Sequence, residues 1–152
     1  MTGQKLFSGK VAAWSYSGRY QFKNHFFGSI GELNGEGEKF DCAQVIDNHP
    51  KLKSWIRNLS GRPKTSFWLP TSTDRFYPDF VALLNDDRLL VVDYKGGDRV
   101  TTDDTKEKRN IGELWAAKSK GKGLFLIAEK KNAQGESITE QLNHIVENNA
   151  KA

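Results

Sequence analysis

Helical and strand-like patterns alternate along this chain, which predicts a mixed α/β layer structure. Three observations carry that expectation. Two apolar, β-favouring runs, Phe76 to Leu84 and Arg88 to Tyr94, flank Asn85-Asp86-Asp87, which has turn chemistry. One helical pattern precedes this hairpin, from Glu36 to Asp47, and another follows it, from Asp103 or Asp104 to about Lys120. A buried-looking strand, Leu124 to Ala128, comes after the second helix.

Each element has its own signal. Residues 1–31 are rich in aromatics and glycine, with Trp14, Tyr16, Tyr20, Phe22, Phe26 and Phe27, and read as strand and loop packing on the core. In the first helix Cys42, Val45 and Ile46 fall at i, i+3 and i+4 on an inward stripe, and Asn48, His49 and Pro50 stop it. Lys51 to Asn58 and Ser66 to Leu69 read as short strands separated by a Gly61-Arg62-Pro63 turn. Gly96-Gly97 ends the second hairpin strand. Asp103 or Asp104 can cap the next helix, whose expected inner stripe is Ile111, Leu114 and Trp115, with Gly121 as its C-cap. Ser137 to Asn149 closes the chain as a polar helix, with Ser137 and Glu140 spaced as a capping box.

Composition narrows the function classes. The 152 residues suit one domain, and 37% hydrophobic content with 9 Phe, 4 Trp and 4 Tyr is enough for a core. No apolar run approaches the roughly 20 residues that span a bilayer, so no membrane partner is expected. Met1 to Lys10 are mixed and polar, unlike a secretory leader, and a cytoplasmic location is the expectation. A single cysteine, Cys42, excludes an internal disulfide and a Cys-based zinc site. His25, His49 and His144 have no ligand spacing. The net charge of +4 is uneven: residues 95–131 carry 10 Lys/Arg against 6 Asp/Glu, which suggests a polyanionic partner, nucleic acid first.

The hairpin carries the chemistry. Pro78-Asp79 lies on its first strand and Asp93-Tyr94-Lys95 ends its second. Side chains alternate along a strand, so Asp93 and Lys95 share a face. With a three-residue loop Leu84 faces Arg88, and Asp79 then sits directly opposite Asp93, with Cβ atoms about 4.5–5.5 Å apart. A five-residue loop would pair Asp79 with Lys95 instead, on the same face. Carboxylates so close repel unless positive charge lies between them, and Lys95 and a divalent ion are the candidates. Hard oxygen ligands suit Mg²⁺ or Mn²⁺. Water beside such an ion and an ammonium group can attack a phosphodiester.

These residues resemble the PD-(D/E)XK nuclease motif. More narrowly, Phe76-Tyr77-Pro78-Asp79-Phe80-Val81, Val92-Asp93-Tyr94-Lys95-Gly96 and Asp104-Thr105-Lys106-Glu107-Lys108 resemble the C-terminal endonuclease domain of type III restriction enzymes, over roughly Ile30 to Glu129. The resemblance implies a restriction-endonuclease-like αβββαβ core with a central mixed sheet flanked by helices. A catalytic core over 32–130 would lie between the 1–31 segment and a C-terminal helix within 131–152. It implies Mg²⁺, with Mn²⁺ as a substitute, bound by Asp79, Asp93 and the backbone carbonyl of Tyr94, and Lys95 acting on the attacking water. A glutamate of the first helix often completes such sites. Glu38, four residues before Cys42, is the choice. Asp93 stands where Glu is commoner. The implied partners are DNA, a helicase/ATPase motor domain and a methyltransferase (modification) subunit. No Walker A motif is present, since Gly61-Arg62-Pro63-Lys64-Thr65-Ser66 has no Gly before its Lys.

Competing readings differ in what they demand. As ordinary strand-end charges, Asp79 and Asp93 would pair with Arg75 or Arg88. Lys106, Lys108 and Arg109 are candidate DNA contacts, against an intrahelical Arg109–Glu113 pair. Cys42 is expected in the core, and Tyr94, alternating away from the acids, as buried support. Two further functions compete with an endonuclease: a catalytically silent nucleic-acid-binding module, and a docking domain.

Overall fold

The computed structural model describes residues 19–27, 30, 33, 37–96 and 103–148. Trp14, Tyr16 and Gly97, named above, lie outside them. Along the chain run α1 (Glu38–Asp47), β1 (Leu52–Arg57), β2 (Leu69–Pro70), β3 (Arg75–Phe76), β4 (Phe80–Leu84), β5 (Leu89–Tyr94), α2 (Asp103–Lys118), β6 (Gly123–Ala128) and α3 (Ile138–Asn148). The result is α/β, with a mixed four-stranded sheet in the order β1-β4-β5-β6 flanked by helices. β4 is antiparallel to both β1 and β5, whereas β6 runs parallel to β5 after the crossover through α2.

Alternation along the strands divides the core between two faces. Phe80, Ala82, Leu90, Val92 and Leu124 join Phe40 and Ile46 of α1 and Leu142 and Val146 of α3. Val91, Phe125 and Ile127 point the other way, into a smaller cluster with Ile111 and Trp115 of α2. The chain before α1 lies along the free edge of β1, where Phe26 N–H donates to Trp55 O (2.8 Å) and Trp55 N–H to Asn24 O (3.0 Å). Asp47, fully buried, accepts from Lys23 N–H, Asn24 N–H and Trp55 Nε1–H at 2.7 to 2.9 Å, which fixes this segment to the end of α1. Tyr20 and Phe22 pack on the main core, as the sequence predicts for aromatics of this segment.

Several expectations hold in detail. The hairpin register is the three-residue one, with Phe80 opposite Val92, Val81 opposite Val91 and Leu84 N–H bonded to Arg88 O. The capping box forms reciprocally: Glu140 N–H donates to Ser137 Oγ and Ser137 N–H to Glu140 Oε1, both at 3.2 Å. Cys42 is buried.

Others are corrected. Phe76 to Leu84 is not one strand. Pro78 has no N–H for a ladder, and the chain breaks there into β4 and a separate β3 that pairs with β2. The Ser66–Leu69 strand reduces to Leu69–Pro70. On α2, Leu114 is 55% exposed and does not belong to the inner stripe. The helix approaches the sheet through Gly112, where an added Cβ would fall 2.4 Å from the Phe125 ring. That close approach turns the inward face to Thr105, Gly112 and the partly buried Ile111 and Trp115. The C-terminal helix is amphipathic rather than polar throughout, burying Ile138, Leu142 and Val146.

Candidate active site

The break before β4 builds the site. Asn58, just past β1 and 2% exposed, donates from Nδ2 to Phe67 O and Pro78 O, both at 2.8 Å, while its N–H donates to Asp79 O at 2.8 Å. This pins Pro78-Asp79 at the end of the sheet, one residue before β4. Continuing the β4–β5 register places Asp79 opposite Asp93, and the two are bonded directly. Asp79 N–H donates to Asp93 Oδ1 (3.2 Å), and Tyr94 N–H donates to Asp79 Oδ2 (2.9 Å). Both carboxyls are buried, at 6% and 3% residue exposure. They line an open pocket of about 310 Å³ together with Lys39, Arg57, Arg75, Lys95 and Lys108.

Charge is distributed unequally between the two acids. Asp79 Oδ1 meets Lys39 Nζ at 3.0 Å and Arg57 Nη1 at 3.1 Å. Burial opposes its charge, but Arg57, Lys39 and the Tyr94 N–H outweigh burial and hold this carboxyl below the usual carboxylate range. Asp93 Oδ2 has the Lys95 ammonium at 2.8 Å and no other partner among the described residues. Burial, then the neighbouring Asp79 charge, push the Asp93 carboxyl up to about 7 despite Lys95. Lys95 is itself held above its ordinary value, because Asp93 outweighs the burial of the ammonium.

The expected partners for ordinary surface charges are not the ones found. Arg88 pairs with Asp86 (2.8 Å), and the Arg75 guanidinium lies 4.9 Å from the centroid of the Trp68 ring. Asp79, Asp93 and Lys95 are thus brought together as the sequence predicts. Glu38 is not brought to them. Its Oε1 accepts from the Tyr94 hydroxyl at 2.9 Å, and the described residues contain no group of three His, Cys, Asp or Glu that could hold a metal. The helix presents Lys39 instead, because the buried stripe of α1 runs through both Cys42 and Ala43, and Lys39 stands three and four residues before them. Tyr94 is buried support, as expected, with its backbone N–H on Asp79.

The basic residues of α2 divide. Lys108 lines the acid pocket, with Nζ 2.9 Å from Asp104 Oδ2 and 5.2 Å from the Phe76 ring centroid. Lys106 and Arg109 line a different cleft, beside Glu129 and Gln141 near the end of β6. Sequence reasoning missed Lys39 and Arg57. Arg57 ends β1 directly opposite Phe80, next to Asp79, a neighbourhood that the β1–β4 pairing creates and no local sequence signal marks. No protein-family model matches the chain, and neither a curated protein nor a solved structure matches it.

Proposed function

We propose that this chain is a Mg²⁺-dependent DNA endonuclease built on a restriction-endonuclease-like αβββαβ core. On this reading it is the nuclease domain of a type III restriction helicase subunit, working in the cytoplasm with a motor domain and a modification subunit. The observation that carries the reading is the direct opposition of Asp79 and Asp93 with Lys95 on the same face, in a pocket lined by further cations. The order α1, β1, β4, β5, α2, β6 agrees with it once the small β2–β3 sheet is set aside.

The donor set fits a hard cation. Asp93 Oδ2 is buried with the Lys95 ammonium as its one partner among the described residues. Two carboxylates suffice for Mg²⁺, which keeps several waters. Asp79 and Asp93 would hold it, with Mn²⁺ as a substitute and the Tyr94 carbonyl as a further oxygen donor. When bound, the ion would supply Lewis-acid stabilisation of phosphate charge and a lowered water pKa. The remaining work belongs to this chain. Lys95 holds a positive charge where negative charge grows as the phosphodiester is attacked. Arg75 and Lys108 line the same pocket and attract the DNA backbone.

One observation favours a second reading. Asp79 Oδ1 already has two cationic partners, as it would in a catalytically silent DNA-binding module. Plasmid incubated with Mg²⁺ separates the two. Cleavage that stops with EDTA and in Asp79→Asn supports the endonuclease. DNA binding without cleavage in either Mg²⁺ or Mn²⁺ supports the silent module.

A further inference from the structure

We infer that Lys39 is a displaceable counter-cation of Asp79, competing with a divalent cation for that carboxylate and turning to DNA phosphate once the cation binds. The inference rests on the nuclease reading above, and concerns how its metal site is loaded.

The two cations on Asp79 Oδ1 are held very differently. Arg57 Nη1 also donates to Asn58 O (3.1 Å) and Asp79 O (2.9 Å), its guanidinium lies 5.6 Å from the Phe80 ring centroid, and its side chain is 14% exposed. Moving it would strip two backbone carbonyls of a donor. The Lys39 side chain is 29% exposed, and Asp79 Oδ1 is its one ion-pair partner among the described residues. It reaches the pocket on a flexible four-carbon stem from the first turn of α1. Among the described residues, withdrawing Lys39 deprives Asp79 Oδ1 alone, which an arriving cation would satisfy.

Charge balance makes the withdrawal favourable. The three positive charges of Lys39, Arg57 and Lys95 already exceed the two negative charges that Asp79 and Asp93 can carry. A divalent ion added beside all three cations would meet strong like-charge repulsion in a partly dehydrated pocket. The part-exposed Lys39 side chain leaves its ammonium free to swing toward solvent and a phosphodiester bound there. Metal loading and DNA binding would then reinforce each other through one side chain, as linkage requires.

The test is Mn²⁺ binding to the full chain without DNA, read by electron paramagnetic resonance of the free ion. Lys39→Met keeps the aliphatic stem and should bind Mn²⁺ at least about fivefold more tightly than the parent. Lys39→Gln should move in the same direction. Lys53→Met removes the same charge outside the pocket, from a lysine paired with Asp87 at 2.9 Å, and should change Mn²⁺ affinity less than about twofold. Ca²⁺ should raise the DNA affinity of the parent more than that of Lys39→Met. Unchanged or weaker Mn²⁺ affinity in both Lys39 variants would overturn the inference, as would equal effects of Lys39→Met and Lys53→Met. If the parent binds Mn²⁺ and Asp79→Asn does not, the nuclease reading survives that failure. If none of the proteins binds Mn²⁺, both fall together.

Discussion

Replacing Asp93 by Asn should stabilise the protein at neutral and alkaline pH, by an amount that shrinks as pH falls from about 7 toward 4. The carboxyl is 3% exposed and pushed up to about 7, by burial first and by the Asp79 charge second. Its pKa is raised in the fold, so between about pH 4 and 7 the folded state binds more protons than the unfolded one, and stability falls as pH rises. Below about pH 4 both states are protonated and the penalty vanishes. Three pH units at 1.36 kcal/mol each bound the penalty at ~4 kcal/mol, and relaxation around the site brings the expected gain of Asp93→Asn at pH 8 to about 1–3 kcal/mol. Asp79, held low, works in the opposite sense and stays in both proteins, and because the two carboxyls interact the difference reports the pair rather than Asp93 alone. Urea unfolding followed by tryptophan fluorescence in EDTA, from pH 5 to 8, measures it. A flat difference, or a variant that loses ground to the parent as pH rises, would refute the reasoning.

Two further expectations concern the surroundings of the site. Gly112→Ala would place a Cβ 2.4 to 2.5 Å from Phe125 ring atoms and should lower stability by about 1–3 kcal/mol in the same unfolding assay, whereas a neutral result would contradict the close approach of α2 to the sheet. DNA affinity should fall steeply with salt, and Lys108→Ala should reduce the logarithmic slope by about one phosphate contact. Lys106→Ala, on a different cleft, should change it less; equal losses would mean that DNA covers both surfaces.

Local chemistry made much of this legible. Asn85-Asp86-Asp87 sets the hairpin loop, and period-two alternation then places Asp79 across from Asp93. The capping box was visible for the same reason, because its partners are three residues apart. What stayed hidden depends on neighbours distant in sequence. Lys39 and Arg57 reach Asp79 only because β1 lies beside β4 and α1 packs over the end of the sheet. Glu38 and Lys39 both precede Cys42 at helical spacing, so the pattern alone did not choose between them. Leu114 fits the apolar period of α2, yet the glycine at 112 rotates the contact away from it. The β2–β3 pair was obscured because Phe76 to Leu84 reads as one apolar run until Asn58 captures the carbonyls of Pro78 and Asp79.

The central claim is that Asp79, Asp93 and Lys95 form a catalytic site, and Lys95→Ala tests it most directly when cleavage rate and DNA affinity are measured on the same preparations. A group that stabilises charge growing during the reaction affects the rate constant more than binding. With Mg²⁺ or Mn²⁺ and protein in excess over plasmid, the account predicts cleavage at least about a hundredfold slower in Lys95→Ala. DNA affinity should stay close to that of the parent, since Lys39, Arg57, Arg75 and Lys108 remain in the pocket. Equal cleavage rates, or loss of DNA binding in step with loss of cleavage, would contradict it.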